Sequence, residues 1–259
     1  MSTTDPTSEE MAEATADLVQ LWHTRAQINP DRDLDRYHDA RLHSVSGLAA
    51  HAYRTGEVAA QLIRDGLWLE AAPLVRLSFE CAITAQWSAL VPDGVQALLN
   101  KDYRSRRLTA ETLRQSRSWA ASGLEVPTPG DEDHEGSSNA QARSFKQMCD
   151  DLEPGGVEAY SYYRTMCWFS HPTSYVTDRY ANEKVPPLRL RRTPREDTAT
   201  AYTFQYFGVL ALVLAASALN HLDADKVHAD EIAQVADRVG VTGKMRLSER
   251  AQARVNTYR

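Results

Sequence analysis

The sequence predicts an all-α protein, a bundle of about seven to nine helices with a long acidic loop near residues 123–139. Apolar residues recur at helical spacing through most of the chain, and no alternating run is long enough to require a sheet. Proline, glycine and asparagine stand where these helical patterns stop. With 259 residues, 42% of them hydrophobic, the chain is long enough to bury one large core.

The first half of the chain contains four predicted helices, which cover residues 9–26, 43–65, 68–91 and 94–122. Gly66 stands where a helix C-cap prefers glycine, and Pro73 is tolerated in the first turns of the third helix. Pro92 ends that helix. Because the third helix is apolar on nearly every side, we expect it to lie in the middle of the bundle.

The second half contains four further predicted helices, which begin near residues 140, 160, 198 and 224. Residues 198–220 carry no charge, but the densely apolar part, from Phe207 to Leu219, is shorter than the roughly 20 residues that span a membrane. This pattern favours a buried core helix, and we expect no membrane contact. A polar, basic tail follows the last helix.

These elements predict a single helical domain over residues 1–259. Within it, residues 1–40 are an N-terminal helical extension and residues 41–222 form the core bundle. Residues 223–259 supply a C-terminal helix and the polar tail.

Charge and cysteine content restrict the class of protein. A net charge of −6 and a pI near 5.8 argue against a dedicated nucleic-acid coat protein, although a local basic patch can still bind phosphate. Three cysteines without CxxC spacing are typical of a reducing compartment, and the N-terminus lacks a signal-peptide pattern, so we expect a cytoplasmic protein. His134 has no cysteine or second histidine at ligand spacing, so neither a metal nor a cofactor is predicted.

The segment from Tyr160 to Tyr175, YSYYRTMCWFSHPTSY, carries the densest set of functional groups. At 3.6 residues per turn, one stripe of this helix holds a phenol, a guanidinium, a thiol and an imidazole, from Tyr160, Arg164, Cys167 and His171. Pro172 disfavours helical geometry at His171, so the helix should end at the imidazole. The hydroxyls of Ser170 and Ser174 would lie beside it.

Arg76 and Glu80 stand four residues apart on the central third helix, at the spacing of an ion pair. Because that helix is expected in the core, we expect both side chains to be buried, where they must be well bonded. They are either a structural clamp or support for the site near His171.

The six residues between Arg164 and His171 resemble the R-x4-6-H motif of HEPN domains, all-helical modules of many bacterial ribonuclease toxins and phage-defence proteins. Thr165 stands where that superfamily commonly has asparagine. The resemblance implies metal-independent RNA cleavage in a homodimer, with Arg164 and His171 catalytic and Glu80 and Tyr160 orienting them. It also implies that a cognate partner protein could exist.

A second resemblance covers roughly residues 49–219. GLWLEAAPLVRLSFE and the later YRTMCWFSHPTS look like a bacterial family of uncharacterised helical proteins with an R-x3-E helix and a Ser-His segment. This resemblance implies that Arg76, Glu80, Ser170 and His171 form a linked set, without assigning an activity.

A basic segment, NEKVPPLRLRRTPRE, follows the dense helix, and its cations are Lys184, Arg189, Arg191, Arg192 and Arg195. If the chain cleaves RNA, the four arginines would bind the phosphate backbone.

Two other interpretations fit the residues around His171. His171 could complete a structural polar network with Glu80 or a tyrosine. Alternatively, a noncatalytic module could bind a protein partner or a small ligand in a pocket lined by Trp87, Tyr163 and Trp168.

Overall fold

The computed structural model describes residues 5–30, 38–122, 136–181 and 191–257. These residues form twelve α-helices: α1 (Ser8–Thr24), α2 (His38–Arg64), α3 (Trp68–Leu90), α4 (Gly94–Gln115), α5 (Arg117–Ser122), α6 (Asn139–Ala142), α7 (Phe145–Asp150), α8 (Gly156–Ser170), α9 (Ser174–Tyr180), α10 (Thr198–Leu222), α11 (Ala229–Arg238) and α12 (Glu249–Asn256). Two short strands, β1 (Leu152–Glu153) and β2 (Arg246–Leu247), pair antiparallel. The all-α class is confirmed.

The described residues contain more helices than the predicted seven to nine, because two predicted helices are broken and two short helices were missed. Ser116 separates α4 from α5, and Ser144 begins α7 as its N-cap by accepting a hydrogen bond from Gln147 N–H. The missed helices are α9 and α12. Residues 123–135 of the predicted acidic loop lie outside the described residues.

Local sequence signals set several helix ends. Thr7 and Glu10 form a capping box at the start of α1. At the end of α2, Gly66 adopts a φ of +78°, and Leu67 N–H donates to Leu62 C=O at 2.8 Å. This is the pattern of a Schellman motif, in which glycine avoids the strain of a left-handed backbone. α3 accommodates Pro73 near its start.

The core lies where α3 and α10 pack against each other and against α2. Gly56 of α2 lies in close contact with α10, since a Cβ there would lie 2.9 Å from Leu212 Cδ2 and would force this side chain to shift. Among the described helices, α10 has the length and hydropathy of a membrane span, but 67% of its most apolar window is buried inside the protein. That burial is typical of a core helix.

The core extends beyond residues 41–222 at both ends. Met11 and Leu18 of α1 are completely buried and belong to the same apolar cluster as α3 and α10. Val235 of α11 and Val255 of α12 also join this cluster. The N-terminal and C-terminal helices therefore complete the bundle.

The predicted polar tail is instead folded against the bundle through a buried carboxylate. Asp151 accepts two hydrogen bonds from the Arg254 guanidinium, at 2.8 and 2.6 Å, and one from Trp87 Nε1 at 2.9 Å. Next to it, β2 pairs with β1, so Glu153 faces Arg246 in the register. The sequence predicts a polar tail because α12 is short and mostly hydrophilic. The residue that anchors α12, Asp151, lies about a hundred positions earlier in the chain, where a local pattern cannot indicate it.

Substituting Arg254→Ala should lower the free energy of unfolding by about 3 kcal/mol, because it leaves the Asp151 carboxylate buried and poorly neutralised. Urea denaturation measures this loss. The matched control is Arg246→Ala, which removes an exposed ion pair with Glu153 in the same segment and should cost less than about 1 kcal/mol. Equal losses in the two variants would show that Asp151 does not anchor the C-terminal segment.

Candidate active site

The end of α8 places His171 at the protein surface. α8 ends at Ser170 as predicted, and His171 has extended backbone angles (φ −120°, ψ 159°), as expected for a residue before proline. Thr173 Oγ1 donates to Trp168 C=O at 2.5 Å and closes the turn between α8 and α9. The imidazole is exposed to solvent.

An open cavity of about 470 Å³ lies between α7, one face of α8 and the turn after it. Its lining residues are Ser144, Phe145, Lys146, Tyr160, Tyr163, Arg164, Cys167, Trp168, His171 and Thr173. The structure thus brings all four residues of the predicted stripe to one wall. Tyr163, which the helical spacing placed off that stripe, also lines the cavity.

Arg76 of α3 joins the cavity wall to the bundle. Its Nη1 lies 2.9 Å from His171 Nε2, and its Nη2 donates to Tyr163 Oη at 3.1 Å. Nη2 also lies 3.3 Å from Glu80 Oε2. Because a guanidinium can only donate, His171 Nε2 is the acceptor in this hydrogen bond. We call Arg76, Glu80, Tyr163 and His171 the polar cluster.

The expectation that Arg76 and Glu80 are buried is wrong. Their side chains are 20% and 32% exposed, because this side of α3 faces the polar residues of α8 instead of the apolar core. The near-continuous apolar pattern of α3 concealed that difference between its sides. The linked set itself is present, except that Ser170 donates to Met166 C=O inside α8 at 2.8 Å.

Electrostatics keep Arg76 charged and Tyr163 neutral. Partial burial lowers the pKa of Arg76. The Glu80 carboxylate and the Tyr163 hydroxyl together raise this pKa by more than burial lowers it, so the pKa lies above its usual value. Burial and the Glu80 carboxylate raise the pKa of Tyr163. The polar cluster therefore contains a permanent cation beside a protonated phenol at neutral pH.

Arg164 offers the cavity an exposed guanidinium that makes no hydrogen bond or ion pair with any residue that the structure describes. Lys146, which the sequence interpretation missed, adds a second cation to the wall. It pairs with Asp150 at 2.6 Å and lies 5.8 Å from the ring centroid of Tyr160. Within the described ranges, no carboxylate lines the cavity, so its lining favours an anionic ligand.

Several predicted residues lie elsewhere. Ser174 is the first residue of α9, where its carbonyl accepts a hydrogen bond from Thr177 Oγ1. Trp87 is completely buried against Asp151, so it cannot form a pocket with Tyr163 and Trp168. The position of Trp87 in an apolar helix does not predict which other aromatic side chains it contacts, because those contacts depend on how the helices pack.

The described part of the basic segment, residues 191–196, lies beside α9 and outside the cavity lining. Lys184 and Arg189 are outside the described residues. Arg191 N–H donates to Tyr180 C=O at 3.0 Å, and Arg195 N–H donates to Arg179 C=O at 2.8 Å. These bonds hold residues 191–195 against α9, while Arg192 and Arg195 are exposed.

In the described ranges, no three histidine, cysteine, aspartate or glutamate side chains converge to hold a metal ion. No protein-family model, curated protein or solved structure matches this chain.

Cys167 should react with iodoacetamide at pH 8 much faster than the other two cysteines. Burial and a neighbouring carboxylate raise the pKa of Cys81 to about 11 and that of Cys149 to about 12, so both remain thiols until the pH approaches those values. Cys167 is partly exposed and lines the cavity. Peptide mass spectrometry measures the three rates.

An anion that occupies the cavity should slow this labelling, and inorganic phosphate is the probe. The control is protein unfolded in urea, where all three cysteines should react at similar rates with and without phosphate. Labelling of Cys149 as fast as Cys167 in the folded protein would contradict the described burial.

Proposed function

We propose that the cavity between α7 and α8 binds one phosphodiester group of an RNA strand and that the protein cleaves the strand there without a metal ion. One observation carries the proposal: Arg164 and His171 are both exposed and line the same open, carboxylate-free cavity. An exposed arginine and histidine at this spacing also resemble the HEPN motif. Full burial of the two side chains would have removed this support.

Arg164 is suited to bind the phosphoryl group. A guanidinium can donate two parallel hydrogen bonds to phosphate oxygens and stabilise the charge that develops on them. Lys146 of α7 adds positive charge to the same cavity. The tyrosines at positions 160 and 163, whose ring centroids lie 6.2 Å apart, provide apolar surface for a sugar or base.

His171 is suited to transfer the proton. In the proposed reaction the 2′-oxygen attacks phosphorus, the bond to the 5′-oxygen breaks, and the product ends in a 2′,3′-cyclic phosphate. His171 Nε2 accepts the 2′-hydroxyl proton, and water in the open cavity protonates the departing 5′-oxygen. Because Arg76 occupies Nε2 in the free protein, the substrate phosphate must first attract this guanidinium, which leaves Nε2 available.

Purified protein in EDTA should therefore cleave single-stranded RNA into products with 2′,3′-cyclic phosphate ends. Arg164→Ala and His171→Ala should each lower the rate by at least about 100-fold, the scale of lost acid–base or electrostatic catalysis. Gel electrophoresis gives the rate, and mass spectrometry identifies the ends. Arg104→Ala, which removes an exposed arginine of α4 outside the cavity, is the matched control and should leave the rate unchanged.

Two outcomes would overturn the proposal. A folded wild-type protein that cleaves none of several unrelated RNAs would show that the cavity is not a nuclease site. Cleavage at equal rates by wild type, Arg164→Ala and His171→Ala would show that the activity comes from another site or a contaminant.

The hydrogen bond between Arg76 and His171 also favours a second candidate, a noncatalytic module that binds an anionic ligand or a protein partner. In that module the polar cluster fixes the packing of α3 against α8. His171→Ala would then lower thermal stability and leave no activity difference to measure. In the nuclease, its effect on cleavage would greatly exceed its effect on stability.

We further propose that two copies of the chain associate, as the HEPN resemblance implies, and that they act in the cytoplasm, as three cysteines without CxxC spacing indicate. Light scattering after size-exclusion chromatography measures the mass, and a monomer at all concentrations would reject the homodimer. A cognate partner protein stays a prediction from the same resemblance.

A further inference from the structure

Two large aromatic side chains are stacked on the surface beside the cavity. The rings of Trp168 and Tyr175 have centroids 5.0 Å apart and are 4° from parallel. The residues remain 41% and 46% exposed. Such exposure is unusual for side chains of this size, because burying them is strongly favourable.

The aromatic stack is held in place from behind. The ring centroid of Tyr175 lies 5.8 Å from that of Phe169, which is buried at the edge of the core. The turn that follows α8 is closed by the hydrogen bond from Thr173 Oγ1 to the Trp168 carbonyl. A stack supported in this way is a preformed surface that loses little conformational entropy when a flat ligand binds.

The stack is continuous with the candidate active site. Trp168 lines the cavity together with Arg164 and His171, and Tyr175 extends the aromatic surface away from it. An aromatic platform next to cations that bind phosphate is the arrangement with which proteins hold unpaired nucleotides. Base pairing would prevent this contact, because the bases of a duplex are already stacked on one another.

We infer that the substrate is single-stranded RNA, and that an unpaired base next to the phosphate in the cavity stacks on Trp168 and Tyr175. This inference rests on the proposed function and adds its substrate class. Trp168 is then a binding residue for the strand, separate from the groups that transfer the proton. Removal of an aromatic side chain on which one base stacks weakens RNA binding by about tenfold.

The test measures fluorescence anisotropy of labelled oligoadenylate, alone and annealed to oligouridylate, in EDTA with the His171→Ala protein to prevent cleavage. Added to that background, Trp168→Ala should weaken binding of the single strand about tenfold, and Trp168→Phe should retain most of the affinity. The duplex should bind weakly to all variants. Leu108→Ala, which removes an exposed apolar side chain of α4, is the matched control and should change nothing.

The outcomes separate the inference from the proposed function. Binding that Arg164→Ala weakens and Trp168→Ala does not would overturn the stacking alone. Equal binding of duplex and single strand would also overturn it. If Trp168→Ala changes the molecular mass of the protein assembly in light scattering and leaves its RNA affinity unchanged, the stack is a protein interface. Absence of RNA binding by every protein would overturn the inference and the proposed function together.

Discussion

The packing of α3 against α2 and α10 is the constraint on which the rest of the structure depends. Long, nearly uncharged helix surfaces meet there, and Gly56 of α2 lies so close to the Leu212 side chain that a Cβ at this position would displace it. Burial of this apolar surface is the main stabilising contribution in a bundle of this size. It also fixes the orientation of α3, and therefore the side of the bundle on which Arg76 and Glu80 emerge.

The orientation of α3 links the core to the cavity through the polar cluster. Arg76 reaches Tyr163 in the middle of α8 and His171 just beyond its end, so one guanidinium positions two elements of the wall. In the free protein this side chain holds α8 against α3, and under the proposed function it would also move toward a phosphate in the cavity. Because a structural network and the proposed nuclease site would use the same residues, stability and activity must be measured separately.

The helical periodicity was sufficient to predict the main helices, and Pro172 was sufficient to predict that α8 ends at the imidazole. Both depend on neighbouring residues within a few turns. The partner of His171 could not be predicted in this way, since Arg76 is 95 positions earlier. Likewise, the cations of the cavity include Lys146 from α7, a helix whose break at Ser144 the sequence pattern did not indicate.

By itself the sequence determined the all-α class, the central position of α3 and α10, and the stripe that carries Tyr160, Arg164, Cys167 and His171. These features follow from local geometry and from the preference of apolar residues for the core. Only the tertiary structure decided that this stripe is open to solvent, that Trp87 is buried away from it, and that Trp168 stacks on Tyr175. Exposure and side-chain partners depend on which elements pack together, because residues distant in the chain determine how much of each surface water can reach.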